Sequence, residues 1–153
     1  MTQYIDTVIS FPGTIYFRFN AEPANGTGSL ANASAILNSG AGVMGFQPGA
    51  VVEHAVNEND VTAPFPGVPD GQDNFDFGYT WNTGLDAPTG SEYDLFSVIL
   101  HELTHSMGLA SGLRSDGKSR INGLNPGAFG TFDVFLEFGD GSPLFAAGGG
   151  FYR

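Results

Sequence analysis

The spacing of apolar and polar positions predicts a few short strands, one long amphipathic helix and much loop. Thr14 to Phe19 sets Ile15, Phe17 and Phe19 against Tyr16 and Arg18, the two-residue period of a half-buried strand after the Pro12-Gly13 turn. Leu30 to Leu37 (LANASAIL) is alanine-rich and follows a Gly-Thr-Gly-Ser loop, which predicts a short helix capped by Ser29. Residues 40 to 50 read as a glycine-rich loop, or a strand around Val43 to Phe46, and Ala50 to Val56 (AVVEHAV) as a strand. Asn57 to Gly90 is mostly loop, with Asn74 to Trp81 (NFDFGYTW) as an alternating edge strand. From Ser91 to Leu109 the period changes: Leu95, Phe96, Ile99, Leu100, Leu103 and Met107 recur at helical spacing. Ser91 is the predicted N-cap, Glu92 and Asp94 suit the first turn, and Gly108 falls where a helix stops in the left-handed conformation, giving about four to five turns. Thr131 to Phe138 (TFDVFLEF) predicts a strand or a short helix.

Composition narrows the class. The 153 residues suit one domain, 1–153, with 14 Phe to fill a core and 23 Gly to make turns and extended loops. A net charge of −11 with only five Lys and Arg argues against a nucleic-acid partner, which needs a basic face. The same acidity suits cationic substrates or Ca²⁺. The absence of cysteine excludes disulfides and thiolate zinc sites, and no run of 18 apolar residues is present to span a membrane. MTQYIDTVIS has neither the basic start nor the long apolar run of a signal peptide, and the glycine-rich end, FAAGGGFYR, reads as a flexible stop. Both are compatible with a piece of a longer protein.

The long helix carries the chemistry. His101-Glu102-Leu103-Thr104-His105 is an HExxH pattern. Positions i and i+4 project from one helix face, so both imidazoles can reach one Zn²⁺. Glu102 is the candidate base for the attacking water. The chain has three histidines and two of them fall in this motif, which weighs against two incidental surface histidines.

The run WNTG…SEYDLFSVILHELTHSMGLASG resembles the active-site region of secreted bacterial metallopeptidases related to the metzincins. AVVEHAVNEND and FDVFLEFGDGSPLF resemble further segments of such proteins, so the likeness covers about two thirds of the chain, with only the helix specific. It implies a single α+β zincin-like domain: a small twisted sheet, a backing helix and the HExxH helix. It also implies zinc-dependent peptide hydrolysis, export from the cell, a peptide or protein substrate and a monomer. An edge strand ahead of the helix would line the cleft and pair with an extended peptide, a role Tyr79 and Trp81 suggest for their segment.

The chain departs from the metzincin pattern HExxHxxGxxH/D plus Met-turn. Gly108 is kept, but the third-ligand position is Ser111, no histidine follows His105, and Met107 is the last methionine. The third ligand is then Asp133, water or a residue beyond 153. Asp133 lies in GTFD, which partly matches the aspzincin GTxD; against that stands a solvent-facing Asp on an amphipathic strand. The alternative function is a non-catalytic binding or structural domain, or a fragment, that retains the helix. His54 reads as a packed or surface histidine. Asp70, Asp73 and Asp76 in PDGQDNFDF offer oxygen ligands for a structural Ca²⁺, set against a plain polar turn.

Overall fold

A computed structural model describes residues 13–37, 45–120 and 128–145. The first part of the 40–50 segment and the C-terminal glycine run lie outside the described residues. In chain order the elements are β1 (Phe17–Glu22), β2 (Ala31–Ala35), β3 (Gly45–Gln47), α1 (Ala50–Asn57), β4 (Gly71–Asp76), β5 (Trp81–Asn82), β6 (Tyr93–Asp94), α2 (Leu95–Ser106), β7 (Ala128–Gly130) and a 3₁₀ turn (Thr131–Phe135). The mixture of two helices and small sheets is α+β.

The main sheet has the order β1-β4-β2. β1 runs parallel to β4, with Phe17 opposite Gly71, and β2 runs antiparallel to it, with Ala33 opposite Asp73. Two further pairs, β3 with β7 and β5 with β6, are parallel. β4 is therefore a central strand ending at Asp76, where an edge strand over Asn74 to Trp81 was expected. The Asp76 carboxylate folds the chain over, accepting from Gly78 N at 2.7 Å and Asn25 N at 3.1 Å. Tyr79 and Trp81 then pack on Tyr93, with ring centroids 5.6 and 6.2 Å apart.

Two segments exchange their expected structures. Leu30 to Leu37 contains strand β2 in place of a helix: ANASA alternates small apolar and polar residues, its Asn and Ser exposed, and pairing with β4 outweighs alanine's helical preference. Ala50 to Asn57 is helix α1 in place of a strand. Val51 and Ala55 are buried one turn apart, and the helix closes on Glu58 at φ 53°, whose N–H bonds the Glu53 carbonyl.

α2 begins at Leu95, later than expected. Ser91 is not its cap; Asp94 is, accepting from Phe96 N at 3.0 Å and from Ser97 Oγ at 2.6 Å. The helix packs on β2 and β4 through Leu103, Ser106 and Glu102, all buried. This face is turned from the expected apolar stripe: Phe96 and Leu100 are half-exposed, and polar Glu102 and Ser106 go inward. Close approach explains the turn. A Cβ on Gly71 would stand 2.9 Å from the Ser106 Cβ and 2.7 Å from the Phe17 ring, so two small residues let helix and sheet meet here. Phe75 of β4 and Leu103 of α2 are both buried.

Candidate active site

The HExxH residues sit where the buried face of α2 meets its exposed face. At about 100° per residue, His101 and His105 lie ~40° apart around the helix and Glu102 ~60° beyond His105, toward the sheet. Accordingly His101 is exposed, His105 intermediate and Glu102 buried. The two Nε2 atoms stand 3.1 Å apart. Two nitrogens at about 2.0–2.1 Å from one tetrahedral zinc would be about 3.3 Å apart, so the pair fits a shared ion with little adjustment.

The turn after the helix orients the second histidine. Gly108 adopts φ 90°, which lets Leu109 N reach the Thr104 carbonyl at 3.0 Å. The Leu109 carbonyl then lies 3.2 Å from His105 Nδ1. A carbonyl only accepts, so Nδ1 carries the proton and Nε2 keeps its lone pair for a metal.

Past Gly108 the chain turns to Ser111 and Asp133, and the two are bonded to each other. Ser111 Oγ donates to Asp133 Oδ1 at 2.6 Å. Gly112 N donates to both carboxylate oxygens at 3.2 and 3.1 Å, and Gly130 N to Oδ2 at 2.9 Å. Asp133 is fully buried at the 3₁₀ turn, not a solvent-facing residue of a strand. Its carboxylate is committed to fastening the loop after α2 to the end of β7. Among the described residues no third His, Asp or Glu brings a ligand atom within 4.8 Å of both histidines. Asp133 therefore does not complete the set, and the donors present among the described residues fit zinc as a two-histidine site.

Beside His105 opens a cleft of about 390 Å³. Ala33, Ala35 and Leu37 line one side, and Gly108, Ser111, Arg120 and Thr131 much of the rest. The strand bordering it is β2, at the sheet edge, and not the Tyr79–Trp81 segment, whose rings are spent on Tyr93. Beneath the histidines Asp73 is buried; its Oδ1 accepts from Ser106 Oγ and its Oδ2 has no partner among the described residues. Burial pushes the Asp73 carboxyl above its ordinary range, against smaller opposing effects of the Ser106 hydroxyl and of His105.

The three aspartates considered for Ca²⁺ do not converge. Asp76 caps its own turn, Asp73 meets Ser106, and Asp70 turns to α1, where His54 Nδ1 lies 3.2 Å from Asp70 Oδ2. Asp70 also accepts from Tyr16 N at 2.8 Å and Thr62 Oγ at 3.3 Å. Asp60 joins at 3.9 Å from His54, so that His54, Asp60 and Asp70 form a group with ligand atoms within 4.8 Å of one another. Sequence reasoning missed this group, because it placed His54 on a strand. Its hydrogen bonds tie α1 to the approach to β1, an ordinary structural duty.

No protein-family model, no curated protein and no solved structure matches this chain. Among the described residues no helix is long and apolar enough to cross a membrane.

Proposed function

We propose that the chain is a zinc-dependent peptidase, with export as the resemblance implies. The observation that carries this reading is the paired histidine geometry: two Nε2 atoms 3.1 Å apart, one of them fixed in the metal-binding tautomer by the Leu109 carbonyl. His101 and His105 bind the ion. A bound Zn²⁺ supplies Lewis acidity, polarising a carbonyl and acidifying a water. Glu102, flanking the histidines, takes the proton of the attacking water and passes it to the leaving amine. The outer edge of β2, unpaired among the described residues, holds the extended peptide by strand addition.

A second reading has one observation in its favour. Ser111 stands at the metzincin third-ligand position and is spent on Asp133, which suits a domain that keeps the helix for binding and has lost the chemistry.

Zinc content and peptide cleavage separate the two. The purified protein should hold about one Zn²⁺, lost in His101→Ala and His105→Ala. Glu102→Gln should keep the ion while cleavage of a mixed peptide library falls by about 10²–10⁴-fold. Full zinc occupancy in either histidine variant would sink the site assignment. Zinc-loaded protein that cleaves nothing would favour the binding domain.

A further inference from the structure

Among the described residues, the cleft beside His105 is neutral except for that histidine and one cation. Its described lining holds Ala, Gly, Leu, Val, Ser and Thr, no carboxylate among the described residues, and Arg120. The chain has a net charge of −11, so a cation without a carboxylate partner is unusual in it. The other described cations are engaged. Arg18 donates to the Gly67 carbonyl, and Arg114 and Lys118 approach Asp116 at 3.7 and 4.0 Å. The Arg120 guanidinium has no such partner among the described residues. Its backbone is nevertheless held: Arg120 N donates to the Gly112 carbonyl at 2.6 Å, and Gly112 is bound in turn to the buried Asp133. The base of the side chain is thus anchored to the cleft floor while its exposed end stays uncommitted.

We infer that Arg120 is a specificity residue that selects peptides carrying a carboxylate near the bond aligned with His105. The inference rests on the peptidase reading for the chemistry, but not for the binding. A planar guanidinium offers paired N–H donors that match a carboxylate, and a lining of small residues leaves room for an acidic side chain. The carboxylate belongs either to an internal Asp or Glu or to the peptide's own C-terminus; both present the same two oxygens.

Binding tests this without turnover. Fluorescently labelled alanine-rich peptides, amidated at the C-terminus and bearing one central Glu, Gln or Lys, are titrated against the zinc-treated Glu102→Gln protein. A Gln peptide with a free C-terminus forms a fourth arm. The Glu peptide should bind about 10- to 100-fold more tightly than the amidated Gln peptide, as a charge-assisted hydrogen bond allows. Tighter binding only of the free-terminus peptide assigns the site to terminal carboxylates and also supports the inference. On the same background, adding Arg120→Ala should erase the preference and Arg120→Glu should turn it toward Lys. Equal binding of all four peptides, no binding at all, or a preference that survives Arg120→Ala overturns it. The peptidase reading fails separately: acid-selective binding with no cleavage by the native sequence leaves Arg120 its role, and cleavage without acid selectivity removes only that role.

Discussion

Asp133 illustrates how one buried carboxylate can resemble a metal ligand in sequence and serve another purpose in the fold. It accepts from Ser111 Oγ, Gly112 N and Gly130 N. Replacement by alanine would strand two backbone N–H groups, at about 1–3 kcal/mol each. Asp133→Ala should therefore lower stability by roughly 2–5 kcal/mol in urea unfolding, while the folded fraction keeps its zinc. Zinc lost from a still-folded Asp133→Ala protein would return the residue to the ligand set. The sequence showed the motif because HExxH is local: His101, Glu102 and His105 share one helix, and their relative placement follows from helical geometry alone. The Ser111–Asp133 bond joins positions 22 apart through a turn and a strand pair, and no local pattern encodes it.

At the scale of elements, the turn at Gly108 does more than end α2. An added Cβ there meets nothing within 4 Å, so the cost of a side chain is one of backbone conformation alone. Gly108→Ala should cost about 1–2 kcal/mol. It should also weaken zinc binding by about 10–100-fold, because the Leu109 carbonyl moves off His105 Nδ1. A zinc titration giving unchanged affinity would show that the carbonyl does not hold the ring. α2 was legible as a helix because a long period dominates its composition; β1 was legible only as a strand, since it runs Phe17–Glu22 where Thr14–Phe19 was expected, and Phe19, expected inward, is exposed. β2 and α1 were misread for opposite reasons. The alanines of β2 have helical propensity, yet ANASA keeps a strict strand alternation and a partner in β4. The valines of α1 have strand propensity, yet Val51 and Ala55 meet the core at helical spacing. In both, tertiary contacts outweighed intrinsic preference. The cap moved from Ser91 to Asp94 because Tyr93 and Asp94 are held in a pair with Trp81 and Asn82.

Over the whole molecule, charge and burial set opposing trends with pH. Asp60, Glu92, Asp94 and Asp140 have their carboxyls held below the ordinary range, first by the hydroxyls of Thr62, Thr89, Ser97 and Ser142 respectively. Each adds stability that is present above its unfolded pKa and is lost as pH falls through the lower folded value. Asp73 acts in reverse: its carboxyl is raised by burial, so the folded state holds that proton more tightly, and stability falls as pH rises from 3.8 through the raised value. Repulsion within a chain of net charge −11 adds to the decline. Urea unfolding should find maximum stability on the acidic side of neutrality, and Asp73→Asn should flatten the limb between there and pH 7. Equal slopes in the two proteins would show that Asp73 ionises without penalty. The side of β2 that is unpaired among the described residues has a further consequence. A bare strand edge does not distinguish a substrate from a second copy of the chain, and Ala31–Ala35 carries no charge or proline to turn a neighbour away. Mutual repulsion between acidic molecules is then what keeps the edges apart, so the salt that screens it also permits edge-to-edge self-association.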